Sequence, residues 1–340
     1  MTILSNQSVQ DVFQSFDQGS EILQSALRSS YLDAVIENAD NLLNHGEVHV
    51  EDGVPDAATV DKLKAVYQKI DLSGLSAETA RQIMQLSFIK VMRLDHIQAI
   101  HQMTPDTMGM LAAFLIERLT KPQSNLVMLD PAVGTANLLT TVMNRLSADQ
   151  QVTVHGYGVD NDDDLLAFAS ASAELQKLPV DLYHQDAVQG MAVPEADIVV
   201  SDLPVGYYPL DDKTQNYKTR AKHGHSYAHH LLIEQSVNYL RPGGFGVFLV
   251  PSSMFNTKET RAFVKWLQSV AHMQGLIGMP KEMFADVRSQ KSLLLLQRQG
   301  GGSKQAGQVL LGTFPSIKKR QEFAAFLRSV DKWAADNLVN

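Results

Sequence analysis

Cysteine is absent from the 340 residues of the chain. The protein therefore cannot form disulfides, cysteine-ligated zinc sites or iron–sulfur clusters, and it has no thiolate to act as a nucleophile. No apolar run approaches the roughly eighteen residues that a membrane-spanning helix needs. Because residues 1–20 also lack the basic start and apolar core of a signal peptide, the sequence predicts a cytoplasmic protein with no membrane segment.

Positive charge is in short supply, with 29 lysines and arginines against 37 aspartates and glutamates and a net charge of −8. Non-specific affinity for nucleic acid comes from neutralising phosphates, so any nucleic-acid contact should need a local basic patch or a partner. Hydrophobic residues make up 44% and charged residues 19%, which is typical of a globular protein with a substantial core. The length favours two domains, while the oligomeric state is left open.

Two kinds of periodicity divide the chain. Apolar residues recur at helical spacing through residues 9–119, with a turn-rich break at 46–55. From residue 126 onward, short apolar strands alternate with helical stretches, and a helix stop, Arg-Pro-Gly-Gly at 241–244, precedes a strand at 245–251. The sequence therefore predicts a helical N-terminal domain over 1–103 and an α/β domain with a largely parallel sheet over 104–340.

Two strand ends carry the chemistry. The segment 129–139, LDPAVGTANLL, ends its strand at Asp130, and the segment 200–209, VSDLPVGYYP, ends its strand at Asp202. In open α/β sheets, ligands bind just beyond the carboxyl ends of the strands. We therefore expect the first segment to be a cofactor loop and the second a substrate loop.

The expected cofactor loop has acidic rather than phosphate-binding character. Gly134 lets the backbone pass close to a ligand, but the other glycines of a dinucleotide fingerprint are missing, which disfavours a nicotinamide-dependent dehydrogenase. Asp130 suits a ligand with a positive end, such as the ammonium and sulfonium of S-adenosylmethionine. Asp160 ends the next strand and can accept both ribose hydroxyls, and Asp186 follows a third strand and can accept from the adenine amine.

Taken in their order along the chain, the motifs resemble those of the class I adenine-N6 DNA methyltransferases. The resemblance is greatest to the modification subunits of type I restriction systems and their small stand-alone relatives. The resemblance covers residues 102–299 and also draws on the segments 240–251 and 284–291. It implies a Rossmann-like class I methyltransferase sheet, S-adenosylmethionine as cofactor and adenine amino groups in DNA as the target. The cofactor-binding residues that we expect are Thr104, Pro105, Asp130, Pro131, Ala132, Gly134, Asn137, Asp160, Asn161, Asp186 and Ala187.

The substrate loop departs from the family pattern of Asn or Asp, then Pro-Pro, then Tyr or Phe. In that family, a side-chain oxygen and a backbone carbonyl accept the hydrogens of the target amine, and the aromatic ring stacks on the extruded base. Leu203 replaces the first proline but still offers its carbonyl, whereas Val205 stands at the aromatic position. The catalytic residues that we expect are Asp202, Leu203, Pro204, Tyr207 and Tyr208, the tyrosines as replacements for the missing ring.

A basic, histidine-rich segment follows the substrate loop. It could contact a phosphate backbone, whereas its histidines do not complete a metal site, and no metal is expected. The residues concerned are Lys213, Lys218, Arg220, Lys222, His223, His225, His229 and His230. Two alternatives to DNA methylation stay open. One is a catalytically degenerate module that binds S-adenosylmethionine for an interaction or regulatory role, and the other is a methyltransferase acting on RNA or protein.

Overall fold

The computed structural model describes residues 8–96, 103–119, 125–148, 152–284, 286 and 289–338. Within these residues, five helices precede the first strand. They are α1 (Val9–Leu27), α2 (Tyr31–Leu43), α3 (Ala57–Tyr67), α4 (Ala77–Leu94) and α5 (Asp106–Leu119). A short polar residue caps the N-terminus of each of the first four, because its side chain accepts from a free backbone amide of the first turn. The caps are Ser8, Ser30, Asp56 and Ser76.

The strands form one sheet of eight in the order β3-β2-β1-β4-β5-β7-β6-β8. They are β1 (Asn125–Asp130), β2 (Thr153–Asp160), β3 (Val180–His184), β4 (Ala196–Asp202), β5 (Leu240–Pro251), β6 (Ala271–Gly278), β7 (Lys291–Arg298) and β8 (Leu310–Thr313). Neighbouring strands are parallel except β7, which runs antiparallel to both β5 and β6. The expected largely parallel sheet behind a helical N-terminal region is confirmed.

Helices cover both faces of the sheet. They are α6 (Asn137–Ser147), α7 (Asp163–Leu175), α8 (Ala228–Tyr239), α9 (Thr260–Val270) and α10 (Arg320–Asn337). Successive strand residues point to opposite faces, so Met128 of β1 belongs to the core that includes α6 and its neighbour Leu129 to the core that includes α8. This double burial explains why the strands appear in the sequence as continuous apolar runs.

The start of β5 differs from the prediction. The helix does end before residue 241, but residues 240–244 continue directly as extended strand instead of forming a loop. Leu240 pairs with Ala196 of β4, and the Arg241 guanidinium donates to the Asp197 carboxylate at 2.7 Å. These contacts keep residues 240–244 in β5, although the pairing register shifts here and Gly243 has a left-handed φ of +85°.

The N-terminal helices pack on the α/β region through α7. Leu165 and Phe168 of α7 lie in the same hydrophobic core as residues of α1 to α4, and the Phe88 and Phe168 ring centroids are 5.0 Å apart. The expected boundary at 103/104 adjoins residues 97–102, which lie outside the described residues, as do residues 1–7 and Arg288. Among the described helices, none combines the length and apolar character required to cross a bilayer.

Candidate functional site

A large cleft opens at the carboxyl ends of β1, β2 and β4. Asp130, Asp160 and Asp202, the last residues of these three strands, all line it. Parallel strands bring their carboxyl ends to one edge of a sheet, which is why residues so far apart in sequence meet here. The cleft has a volume of about 1120 Å³, and ligand pockets usually hold about 300–1,000 Å³. It can therefore take a cofactor together with part of a substrate.

At one end of the cleft, Asp160 organises the loop after β1. Its carboxylate accepts from the backbone N–H of Gly134 at 2.8 Å and from that of Asn161 at 2.8 Å. Gly134 has a φ of +49°, and a Cβ built on it would meet no atom within 4 Å. Gly134 lines the cleft, so the space that its missing side chain leaves open is space for a ligand.

Asp130 lies at the floor of the cleft and is only 1% exposed. One of its oxygens accepts from the Ser201 hydroxyl at 2.6 Å and from the Ala132 N–H at 3.1 Å. The pKa of Asp130 is raised to about 7, chiefly by burial and also by the negative charges of Asp160 and Asp202, while the two hydrogen bonds partly oppose the rise. A cation bound beside Asp130 would lower this pKa and draw the carboxyl group into its ionised form.

At the other end, Asp202 holds two side chains. Its Oδ1 forms an ion pair with the Lys291 ammonium, and its Oδ2 accepts from the Thr104 hydroxyl at 3.0 Å. An ionised carboxylate has about four acceptor positions. Two therefore remain for a ligand, and Asp202 can accept further hydrogens without breaking either contact.

A chain of hydrogen bonds joins Asp202 to the N-terminal helices. Asn137 donates to the Thr104 carbonyl at 2.8 Å, and Arg81 of α4 donates to the Asn137 side-chain oxygen at 2.9 Å. The Arg81 side chain is 2% exposed and also pairs with Asp106 at 2.7 Å. The helical region thus places a buried cation behind the wall of the cleft, and this cation supports Thr104 through Asn137.

Apolar side chains also line the cleft, namely Pro204, Val205, Pro209, Met283 and Phe284, together with the polar residues Asp286 and Ser289. Val205 is 53% exposed, so the position where a ring was expected is open. A planar ligand would find flat and apolar surfaces here, with Asp202 at one edge.

The family model for N-6 DNA methylases matches residues 103–327. The chain belongs to that family. A second model, for the YtxK N-terminal helical domain, matches residues 10–92. Together, these matches account for both regions of the fold and confirm the resemblance that the motifs indicate.

Two relatives of this N-6 methylase chain are similar along almost its whole length. The uncharacterized protein YtxK of Bacillus subtilis (strain 168) is 33% identical over 322 residues, which are 95% of this chain and 96% of YtxK. A crystal structure from Listeria monocytogenes, assigned as a class I S-adenosylmethionine-dependent methyltransferase, is 38% identical. It has a TM-score of 0.88 and covers 97% of this chain and 100% of that one.

More distant structures share the fold alone. The type I restriction-modification methyltransferase subunit of Streptococcus thermophilus is 14% identical, with a TM-score of 0.59 and coverage of 96% of this chain and 94% of that one. Membership of the N-6 methylase family implies S-adenosylmethionine as the cofactor. The residues of the cleft agree with this ligand. The buried carboxylate of Asp130 suits a cation, and the carboxylate of Asp160, one strand away, suits a ribose. The open space at Gly134 allows a ligand to approach the backbone closely.

The structure brings most of the predicted site residues to the cleft. Those that line it are Thr104, Pro105, Asp130, Ala132, Gly134, Asn137, Asp160, Asn161, Asp202, Leu203 and Pro204. The amide of Asn137 is already engaged with Arg81 and the Thr104 carbonyl, so its geometry is that of a support for the loop.

Five predicted residues lie outside the cleft lining, namely Pro131, Asp186, Ala187, Tyr207 and Tyr208. The Asp186 carboxylate accepts from the Tyr208 hydroxyl at 2.7 Å and from the Val188 N–H at 3.0 Å. Tyr208 is 7% exposed and offers no open ring face. Tyr207 is 59% exposed, but its ring stacks on Tyr227 with the centroids 4.8 Å apart. Neither tyrosine lines the cleft, and their role as replacements for the missing ring at Val205 stays a prediction.

Sequence reasoning missed three residues of the site. Lys291 and Phe284 lie in a segment that supports the family resemblance, yet no local pattern assigns them a role at Asp202. Arg81 carries no motif at all. The one available signal for Lys291 is its place at the start of a leucine-rich strand, where a charged residue marks the boundary of the apolar run.

Proposed function

We propose that this chain is an S-adenosylmethionine-dependent N-methyltransferase that acts on adenine amino groups in DNA. One observation carries the proposal. Asp202, a carboxylate with two acceptor positions to spare, lies in the same cleft as Asp130 and Asp160, the two carboxylates that suit a cation and a ribose. Such a cleft can hold a methyl donor and an amine side by side, which supplies the proximity and orientation that a direct transfer requires.

The cofactor would lie over the loop between β1 and α6. Asp160 would accept from the ribose hydroxyls, Asp130 would face the positive methionine end, and Gly134 would let the backbone approach closely. When bound, S-adenosylmethionine supplies an electrophilic methyl group on a sulfonium sulfur. The chain's own contribution is to bind and orient, with a buried carboxylate whose charge is greatest when a cation is present.

The target amine would lie at Asp202. An exocyclic amine is a poor nucleophile because its lone pair is delocalised into the ring. Acceptance of its two hydrogens, by the Asp202 carboxylate and the Leu203 carbonyl, returns electron density to the nitrogen. The amine loses one proton for the methyl group that it gains, and the methylated nitrogen releases that proton to solvent, so Asp202 acts as a hydrogen-bond acceptor. Pro204 favours an extended Leu203, the conformation that this arrangement requires.

Phe284 supports a planar target. It lines the substrate end of the cleft together with Met283 and offers an aromatic surface where Val205 has none. Stacking of a base on an aromatic ring contributes about 1–3 kcal/mol. The target base would thus rest against Phe284 on one side and the smaller Val205 on the other.

The change Val205→Tyr should raise activity if the target is adenine. Val205 is 53% exposed at the cleft, so the larger side chain needs no space inside the core. A second stacking face should lower KM for an adenine-containing substrate by about fivefold or more. Steady-state methylation of an oligonucleotide measures this. As a control, Val205→Leu adds bulk without a ring and should leave KM nearly unchanged. Equal KM values for all three proteins would remove the stacking role of this position.

A basic loop anchored to α8 supports DNA as the polymer. The exposed side chains of Lys213, Lys218, Arg220 and Lys222 follow the substrate loop. Glu234, a buried residue of α8, accepts from the backbone N–H groups of Lys218 at 2.9 Å and Thr219 at 2.8 Å. These bonds fix the backbone at Lys218 and Thr219, in the middle of a surface whose basic side chains suit contact with phosphates. The name of the N-6 DNA methylase family agrees with this choice of polymer.

Two of the four histidines that follow the loop do not belong to this surface. His229 is 3% exposed and His230 is fully buried, both at the start of α8. Burial lowers the pKa of His229 to about 4 and that of His230 to about 3, and the charge of His229 contributes to the second shift. Both rings are therefore neutral at pH 7 and add no positive charge to a nucleic-acid interface.

The proposal is tested by transfer of labelled methyl groups from S-adenosylmethionine to unmethylated DNA, total RNA and lysate protein in parallel. We expect label in DNA, recovered as N6-methyladenine after hydrolysis, with a rate that falls steeply as salt is raised. Label only in RNA or protein would overturn the choice of substrate. Binding of the cofactor without transfer to any acceptor would favour the degenerate binding module. The departures from the family pattern at Leu203 and Val205 favour the same alternative.

The change Gly134→Ala should remove cofactor binding while preserving the fold. The new methyl group meets no protein atom within 4 Å, so it projects into the space that the cofactor would use. The positive φ of +49° should cost only about 1–2 kcal/mol of unfolding free energy. Calorimetry with S-adenosylmethionine and urea unfolding measure the two effects.

Gly302→Ala is the matched control, since Gly302 has a φ of +83° and equally open surroundings but lies outside the cleft lining. It should show a similar loss of stability and unchanged affinity. Unchanged affinity in Gly134→Ala would contradict the placement of the cofactor over this loop.

A further inference from the structure

We propose that Lys291 determines substrate specificity by donating a hydrogen bond to the ring nitrogen next to the target amine. The cleft would then select an aminated heteroaromatic edge, an amine donor beside a ring acceptor, over an aliphatic or peptide amine. This inference rests on the proposed function in one respect, namely that Asp202 receives the target amine. It adds the second half of the recognition and names the substrate class.

The sheet topology places Lys291 at the reacting end of the cleft. Asp202 ends β4, which pairs in parallel with β5, and Lys291 begins the antiparallel β7 on the other side of β5. Leu249 of β5 is the register partner of both Asp202 and Leu293, so Lys291 begins β7 only two residues from that shared level. A long side chain at this position reaches across β5 to the Asp202 carboxylate.

Lys291 is more than a structural ion-pair partner. Its side chain is 21% exposed and that of Asp202 15% exposed, so both groups are accessible from the cleft that they line. It is also the one lysine or arginine among the described lining residues. An ammonium has three N–H donors, and the contact with Asp202 Oδ1 uses one of them. Two donors remain for a ligand that approaches Asp202.

The pair formed by Asp202 and Lys291 presents an acceptor beside a donor. Hydrogen bonds join nitrogen and oxygen at about 2.7–3.2 Å. An amine bound to Asp202 Oδ1 would therefore lie within roughly 5 Å of the Lys291 nitrogen, and an acceptor atom next to that amine would lie closer still. Adenine presents such an edge, because its amine is flanked by ring nitrogens that accept hydrogen bonds, and cytosine has an equivalent edge. The side-chain amine of a lysine residue has no acceptor beside it.

The shape of the site agrees with the same substrate class. Met283, Phe284, Val205 and Pro209 give apolar surfaces at the substrate end, as a flat ring requires. Asp202 and Lys291 provide an acceptor and a donor, and Asp286 and Ser289 are further polar residues of the lining. Apolar surface beside a paired donor and acceptor is complementary to an aminated heterocycle.

The experiment measures nucleoside binding, by ligand-observed NMR, to the full chain saturated with S-adenosylhomocysteine. The probes are adenosine, 1-deazaadenosine, 7-deazaadenosine and purine riboside. The two deaza analogues each lack one of the two ring nitrogens that flank the amine. Purine riboside keeps both ring nitrogens and lacks the amine. We expect adenosine to bind about tenfold more tightly than purine riboside and than one of the two deaza analogues, because each of these loses a bond to a charged group.

Variants assign this preference to Lys291. Lys291→Met should bind adenosine and the discriminated deaza analogue equally, whereas Lys291→Arg, which keeps a donor, should retain a clear preference for adenosine. Lys265→Met, at an exposed lysine of α9, is the control and should behave like the wild type. Equal binding of adenosine and both deaza analogues by the wild type, no binding of any nucleoside, or a preference retained in Lys291→Met would each overturn the proposal.

The outcome is separate from that of the proposed function, since nucleoside binding needs no methyl transfer. A wild-type protein that discriminates the deaza analogue but never methylates DNA would refute the proposed reaction and leave the role of Lys291 standing. A protein that methylates DNA but binds the nucleosides equally would support the proposed reaction and refute the role of Lys291.

Discussion

Replacing Asp202 with alanine should lower kcat for methyl transfer by about a hundredfold to a thousandfold, while the affinity for S-adenosylmethionine changes by no more than a few fold. The Asp202 carboxylate contacts the reacting amine in the proposed arrangement, whereas Asp130 and Asp160 hold the cofactor. Losing a group that stabilises the transition state lowers turnover by this order of magnitude and leaves ground-state binding in place. Single-turnover rates and calorimetric affinities measure the two quantities independently.

Asp202→Asn separates the hydrogen-bond acceptor from the negative charge. Asparagine keeps one acceptor oxygen and is the family's other residue at this position, but it loses the ion pair with Lys291. We expect Asp202→Asn to retain activity within about tenfold of the wild type, because the acceptor acts on the amine and the charge mainly holds Lys291. Two results would sink this assignment of Asp202. One is full turnover in Asp202→Ala, and the other is a parallel loss of cofactor affinity.

Asp130→Asn should make the protein more stable at pH 8 and less able to bind its cofactor. Burial raises the pKa of Asp130 to about 7, far above the value of about 4 that an aspartate has in an unfolded chain. A folded pKa above the unfolded one means that the stabilising, protonated form is fully present below about pH 4. That contribution to stability is then lost as the pH rises through 7. At pH 8 the ionised group therefore costs the fold about 4 kcal/mol, which the neutral amide avoids.

Urea unfolding at pH 4 and pH 8 tests the pH dependence. The amide in Asp130→Asn keeps an oxygen for the Ser201 hydroxyl and the Ala132 N–H, so the variant and the wild type should differ little at pH 4 and by several kcal/mol at pH 8. The same variant should bind S-adenosylmethionine at least tenfold more weakly at pH 8, because it has lost a charged partner for the cationic end. Asp61→Asn, at an exposed aspartate of α3, should change neither quantity. A variant destabilised at pH 8 would refute the view that Asp130 stores unfavourable charge.

The sequence predicts those parts of the site that follow from local pattern and parallel topology. Asp130, Asp160 and Asp202 each end an apolar run, and parallel strands bring such ends together whatever the loops between them do. The same argument fails for Asp186. It lies two residues beyond the end of β3, where the chain has turned and its carboxylate meets the Tyr208 hydroxyl. Side-chain pairing within loops is decided by tertiary packing that strand periodicity does not encode.

The missed residues share one physical cause. The contacts of Lys291 with Asp202 and of Arg81 with Asn137 span 89 and 56 residues. Neither contact leaves a local trace in spacing or propensity. The contact of Lys291 with Asp202 depends on the antiparallel insertion of β7 between β5 and β6. The contact of Arg81 with Asn137 depends on the packing of α4 against the start of α6. The fold class can therefore be inferred from pattern alone, whereas the ion pair that completes the site requires the register of the sheet.

The buried guanidinium of Arg81 makes the two regions of the chain one cooperative unit. Detaching the N-terminal helices would strip Asp106 and Asn137 of their shared cation and uncover the apolar side of α7, including Phe168. Unfolding of either region therefore raises the free energy of the other, and denaturation should proceed in a single transition. A chain built this way cannot exchange its helical region for another as an independent cassette, because the guanidinium that supports Asn137 and the apolar cover of α7 would leave with it.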